Sequence, residues 1–195
     1  MSDRFGMKES AANKIKIGLE VHCQLTNLRT KLFCSCPSDY RGKEPNATIC
    51  PVCMGIPGSL PVLNAKALDY AAMVALALNT RLADQMVFFR KNYFYPDMPK
   101  NFQITQYDRA GGLPLATDGY VVVGESRIRI RRLQLEEDPA KLSYEGTIDA
   151  SKATFVDYNR AGIALIEIVT EPDIESPREA RMFLQKLRSI LEHLE

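Results

Sequence analysis

Ile15-Lys-Ile-Gly-Leu-Glu-Val-His-Cys-Gln24 alternates without a break: Ile15, Ile17, Leu19, Val21 and Cys23 share one parity, and Lys16, Gly18, Glu20, His22 and Gln24 share the other. A period of two is the signature of a half-buried strand, so this stretch predicts a sheet with one apolar and one polar face. Ile163 to Glu171 reads the same way, with Glu167 and Glu171 on one parity and Pro172 ending the strand. Between them Arg127 to Leu135 is also strand-like, but Ile128 and Ile130 are out of phase with Leu133 and Leu135. A β-bulge near Arg131-Arg132 accounts for the slip and leaves the facing of Glu136 and Glu137 open. Carboxylates are costly to bury alone, so three strands bearing them ask for a cation, normally Mg²⁺, or for a charged substrate.

Around these strands the chain reads as an α+β protein. Further strands are expected at Tyr120 to Val123 and Phe155 to Asn159, with turns at Gly111-Gly112 and Asp118-Gly119. Asn64 is a good N-cap for an alanine-rich helix that Asn79 would stop. Ser176-Pro177-Arg178-Glu179 is a capping box opening a second helix, whose stripe of Ala180, Phe183, Leu184, Leu187, Ile190, Leu191 and Leu194 is still running at Glu195. That predicts continuation into a longer protein. Residues 1–13 read as a flexible tail, and residues 90–107, with two prolines among aromatics and amides, as an extended loop.

Composition excludes several classes. Twenty-five basic against 24 acidic residues leave a net charge of +1, so any polyanion contact must be local. No apolar run approaches the roughly 20 residues of a bilayer crossing, and the polar N-terminus lacks a signal peptide's apolar stretch. A cytoplasmic location and no membrane partner are expected. The five cysteines are an odd number, which argues against a disulfide framework.

Cys34-Ser-Cys36 and Cys50-Pro-Val-Cys53 are two close pairs separated by thirteen residues. That spacing predicts a four-thiolate zinc knuckle with no open coordination position, hence a structural Zn²⁺ ordering a lobe over residues 31–59. Such a site carries an apparent binding energy of roughly 10–16 kcal/mol. Redox thiols and plain surface cysteines are the alternatives. Cys23, on the apolar parity, reads as a small buried residue.

No Gly-x-x-x-x-Gly-Lys-Ser/Thr segment is present, so a P-loop is excluded as a phosphate binder and metals or arginines must serve instead. Arg127, Arg129, Arg131 and Arg132 form a basic run beside the acidic residues; a solvated strand edge is the alternative for each. Arg90 and Lys91 beside Tyr93, Phe94 and Tyr95 suit a nucleotide or an RNA end, or are simply neighbours of packing aromatics.

Ile17-Gly-Leu-Glu-Val-His22, Arg90-Lys-Asn-Tyr-Phe-Tyr-Pro-Asp97, Leu135-Glu-Glu-Asp138 and Val156-Asp-Tyr-Asn-Arg-Ala-Gly162 running into Leu165-Ile-Glu-Ile-Val-Thr-Glu-Pro172 closely resemble the B subunits of the tRNA-dependent amidotransferases. The resemblance covers nearly all of Lys14 to Glu195. Ala164 stands where that family usually has proline, and the four cysteines match its zinc-bearing members. It implies a sheet-based cradle similar to glutamine synthetase over residues 14–195, incomplete at the C-terminus. It also implies that Mg²⁺ and ATP phosphorylate the side-chain carboxylate of glutamyl- or aspartyl-tRNA, after which ammonia displaces phosphate. The ammonia would come from a glutaminase A subunit, with a small C subunit embracing both; an amidase-like Ser and Lys signature is missing here. The main domains gripping mischarged tRNA would lie beyond this chain.

Carried over by position, metal or phosphate roles fall on Glu20, His22, Glu137 and Glu167, with Glu136, Asp138 and Glu171 as weaker candidates. Family position favours Glu137 over Glu136. Glu171, Arg90 and Lys91 are the expected nucleotide contacts. The rival reading is a zinc-knuckle scaffold or RNA-binding module without its own catalysis.

Overall fold

A computed structural model of the protein describes residues 15–106 and 111–194. The expected tail, 1–13, lies outside the described residues. The described residues fold into one seven-stranded sheet with two helices on one face, an α+β arrangement. In chain order the strands are β1 (Glu20–Gln24), β2 (Arg81–Leu82), β3 (Phe89–Asn92), β4 (Phe102–Thr105), β5 (Ala116–Val123), β6 (Ser126–Glu137), β7 (Lys141–Tyr144), β8 (Thr154–Asp157) and β9 (Ala164–Thr170). Strands β7 and β8 form a separate two-stranded sheet. The helices are α1 (Ala65–Ala77) and α2 (Pro177–His193).

The main sheet runs β1-β9-β6-β4-β3, and β5 pairs the other half of β6 with β2 beyond it. All its pairings are antiparallel. Antiparallel sheets can leave one face polar, because hairpin connections put no helix there. Leu133, Leu135, Ile166 and Ile168 lie on the helix side, packed with Ala71, Val74, Leu78, Phe183 and Leu187. Their neighbours along the strands, Gln134, Glu136 and Glu167, face the other way.

Local chemistry sets the element ends as expected. The Asn64 side chain accepts from the Lys66 and Ala67 N–H groups, and Asn79 adopts φ 54° just past α1. Ser176 accepts from the Glu179 N–H at 3.2 Å, but Glu179 reaches back to the N–H of Glu175 instead of the cap's own. The predicted β6 irregularity is present: Ile130 is opposite Thr170 while Arg132 is opposite Val169, so Arg131 is the extra residue.

Two local readings are corrected. The stretch expected as an extended loop forms the antiparallel pair β3 and β4, because sheet pairing overrides the prolines, which fall in the intervening 93–101 connection. Asp118-Gly119 is no turn: it sits inside β5, with Asp118 at φ 60°. The reversal occurs at Gly124-Glu125, where Gly124 takes φ 60° between the paired Val123 and Ser126. Among the described residues no helix is long and apolar enough to cross a membrane.

Candidate functional site: a carboxylate cleft and a four-cysteine centre

Strand register assembles the polar face. His22 on β1 is opposite Glu167 on β9, which is opposite Gln134 on β6, and Glu136 lies two residues further along β6. His22 Nε2 stands 3.0 Å from Glu136 Oε1, 3.7 Å from Glu167 Oε2 and 4.0 Å from Glu20 Oε1. The donor atoms of Glu20, His22 and Glu167 all lie within 4.8 Å of one another, so they can hold a metal ion together. Thr105 donates to Glu136 at 3.1 Å, Gln134 to Glu167 at 3.2 Å, and Arg132 to Glu167 at 3.3 Å. Glu20, His22, Glu136 and Glu167 line a cleft of about 670 Å³, with Lys91, Tyr93, Gln103 and Asp138 also on its wall.

The electrostatics follow from this crowding. Hydrogen bonds to Glu136 and then Glu167 raise the His22 pKa from 6.5 to about 10. Glu167 is held below the usual carboxylate range: burial opposes its charge, but His22 and Arg132 outweigh it. Burial pushes the Asp138 carboxyl up to about 6, against the pull of Arg160 and His22. A cation entering the cleft therefore competes with a proton shared between His22 and its carboxylates.

A second concavity, an apolar groove of about 380 Å³, opens behind the sheet between β1, α1 and α2. Its walls are mostly apolar, Met73, Val74, Leu184, Leu187 and Leu191 among them, whereas the clustered carboxylates line the polar cleft.

Several expected site residues are elsewhere, and alternation along the strands is the reason. Glu137 is not with Glu20, His22 and Glu167. It follows the parity of Leu133 and Leu135 onto the helix side, where Oε2 meets Lys100 Nζ at 2.7 Å and Oε1 accepts the Ile104 N–H at 2.8 Å. Burial raises its pKa, with Lys100 opposing. Glu136, expected as the weaker candidate of the two, takes the cleft position, because counting onward from Arg132 places 132, 134 and 136 on the polar face. Both are almost wholly buried, at 4% exposure for Glu136 and 3% for Glu137.

Arg90 and Lys91 separate for the same reason. Lys91 lines the cleft, whereas Arg90 lies 4.6 Å over the Phe102 ring on the other face. Glu171 is outside the cleft in a two-pronged pair with Arg131 at 3.0 Å. Of the basic run, Arg129 pairs with Asp173, Arg127 covers the Tyr120 ring, and Arg132 is paired with the cleft carboxylate of Glu167. Thr105, Gln103, Gln134 and Lys100 are additions that the sequence reading misses; for Gln134 the polar parity shared with Arg132 is the available signal.

The second centre is the cysteine cluster. The Sγ atoms of Cys34, Cys36, Cys50 and Cys53 all lie within 4.8 Å of one another, and Cys50 and Cys53 sulfurs are 3.8 Å apart. Four thiolates at about 2.3 Å from a tetrahedral ion stand roughly 3.8 Å apart, so the donor set fits a metal ion. A hydrogen bond from Cys34 lowers the Cys53 thiol to about 5, while burial raises Cys36 to about 11. The lobe is fastened to the turn between β8 and β9 by Asn159, whose Oδ1 accepts from the Thr48 N–H at 2.7 Å and whose Nδ2 donates to the Glu44 carbonyl at 2.7 Å.

Residues 15–195 match the family model described as the GatB/GatE catalytic domain. The chain is 60% identical over 181 residues to the B subunit of the aspartyl/glutamyl-tRNA(Asn/Gln) amidotransferase of Saccharolobus solfataricus, covering 92% of this chain and 38% of that protein. It is 54% identical over 185 residues to the protein of the same name from Methanococcoides burtonii, covering 93% and 38%. The chain thus spans well under half the length of these relatives. With nearly its whole length matched, it belongs to the GatB/GatE catalytic domain family.

Proposed function

We propose that residues 14–195 are the catalytic cradle of an amidotransferase B subunit, similar to glutamine synthetase in fold, that activates and amidates the side-chain carboxylate of Glu-tRNA(Gln), Asp-tRNA(Asn) or both. The observation that supports this most is the convergence of Glu20, His22, Glu136 and Glu167 from three strands on one open cleft. A carboxylate is a poor acyl donor and its acyl phosphate a good one, so a site that activates it with ATP must bring two anions together. A bound Mg²⁺ would supply the charge that offsets their repulsion.

The chain's own residues then have distinct tasks. Glu20, His22 and Glu167 would hold the cation, with Glu136 fixed beside them by the Thr105 hydroxyl. Lys91 and Tyr93, on the cleft wall, would receive phosphate and the nucleotide or the tRNA end. Gln134 and Arg132 hold Glu167 in place, and His22 and Arg132 favour its charged form. Loss of the His22 proton frees its imidazole nitrogen for the cation. The lobe over residues 31–59 would carry a structural Zn²⁺ on its four cysteines. Ammonia would come from a glutaminase A subunit, with a small C subunit completing a cytoplasmic complex.

The test replaces Glu136 by Gln in the complete complex and follows both half-reactions. A charged group positioned in a partly dry site is worth roughly 10²–10³ in rate, so amidated tRNA should fall by about that factor while glutamine hydrolysis survives. Unchanged amidation would sink the assignment. Absence of Mg²⁺-dependent ATP turnover in the wild-type complex with mischarged tRNA would favour the scaffold reading instead.

A further inference from the structure

Lys31 is among the largest wholly buried side chains in the described residues, at 0% exposure, and the cleft makes no use of it. Lysine is almost never buried this fully without a charged partner. Its Nζ donates to the Thr48 carbonyl at 2.8 Å and stands 3.9 Å from Cys53 Sγ. Among the described residues no carboxylate forms an ion pair with it. Among the described residues the anionic group within 4 Å of its Nζ is therefore a thiolate; the Glu137 carboxylate, also close to Gly162, is paired with Lys100.

The surroundings fix it there. The Lys31 N–H donates to the Cys36 carbonyl at 2.9 Å, so its backbone holds the first cysteine pair while its side chain holds the second. Thr48, which accepts from Nζ, is itself clamped by Asn159. Gly162, at φ 85°, lies over the Lys31 stem: a Cβ there would sit 3.5 Å from both Lys31 Cδ and Cys53 Cβ. Such packing fixes the ammonium beside sulfur and excludes water. Four thiolates and one divalent ion sum to a charge of −2, which is expensive in a partly dry lobe.

We propose that Lys31 is a positioning residue of the four-cysteine centre, its ammonium offsetting the excess negative charge of the metal-bound thiolates and fixing Cys53. This rests on the reading that the four cysteines hold zinc. Groups that support metal ligands from behind typically contribute 10–100-fold in metal affinity.

The experiment uses the complete protein with wild-type Lys31, Lys31→Met and Lys31→Arg. Zn²⁺ affinity is measured by chelator competition, and Co²⁺ substitution reads the sulfur-to-metal charge-transfer band. Lys31→Met should bind Zn²⁺ about 10–100-fold more weakly, with the Co²⁺ band moved to longer wavelength because the sulfur electrons are no longer stabilised by a nearby cation. Lys31→Arg keeps the charge and should keep the band position even where its bulk weakens binding. A merely structural lysine would leave the band unmoved. Wild-type affinity with an unshifted band in Lys31→Met overturns the proposal. So does an Arg variant shifted as far as Met, or, should Lys31→Met not fold, an Arg variant shifted from wild type. Wild-type protein that takes up no Zn²⁺ overturns the four-thiolate reading and the proposal with it.

Discussion

The cysteine lobe and the carboxylate cleft both gather electron-rich side chains, and they do so by opposite means. Cys34, Cys36, Cys50 and Cys53 come from two short loops separated by thirteen residues, each pair bringing its sulfurs close through local turns. Glu20, Glu136 and Glu167 are far apart in the chain and meet only because β1, β9 and β6 lie side by side. The lobe buries Leu32 and Phe33 in a small cluster with Leu28, Ala67, Ile104 and Ala164, and by our reading the rest of its order would come from a metal on its sulfurs. The cleft depends on the sheet beneath it, so its residues can change without unfolding the molecule.

Removing a ligand should expose this contrast most. Cys53→Ser should abolish tight metal binding, forfeiting an apparent binding energy of the order of 10–16 kcal/mol, and open residues 31–59 to protease while the sheet stays folded. Metal content and limited proteolysis read both. A metal-replete lobe would break the comparison at its root.

The adjacent glutamates on β6 offer a sharper division. Glu137→Gln leaves Lys100 buried without its charge partner, and breaking a buried pair costs about 3–5 kcal/mol in urea unfolding. Glu136→Gln keeps a neutral acceptor for Thr105 and should cost less, about 1 kcal/mol, while weakening cation binding. Equal losses in both would mean that the two faces of β6 are not functionally distinct.

His22 supplies a pH test of the cleft alone. The folded imidazole, at about 10, binds its proton more tightly than the unfolded one, at 6.5. That stabilisation is complete below about pH 6.5 and is lost as pH rises through about 10. Metal-free protein should therefore become less stable between about pH 7 and 10, and its affinity for Mg²⁺ should increase over the same range as the proton leaves. Thermal unfolding with a chelator present, compared with His22→Asn, checks this; the variant's curve should be flatter. Its half-exposed setting screens the effect and keeps it modest. Smallest of all, Ser176→Ala removes the α2 cap and should cost about 1 kcal/mol by thermal unfolding, with both centres unaffected.

How much of this is legible in the chain depends on the distance over which each signal acts. Asn64, Ser176 and the cysteine spacing act within a few residues, and each does in the structure what its local chemistry requires. The 93–101 connection is readable as irregular, but the strands on either side are not: β3 is exposed at every residue and carries no alternation for a period to reveal. In β6 the phase slip discloses the bulge but not the facing of Glu136 and Glu137, which the register with β9 decides by placing Glu136 on the polar face. Family position, taken alone, points to its neighbour.

The amino-acid sequence by itself determined the alternating strands, the two capped helices, the thiolate cluster and a set of carboxylates in search of positive charge, because periodicity, capping and short spacings are local. Only the tertiary structure decided which carboxylates share a cleft, that Glu137 faces Lys100, that Arg90 and Lys91 part company and that Lys31 lies sealed against Cys53. Those outcomes turn on the register between strands far apart in the chain, where a shift of one residue exchanges one face for the other.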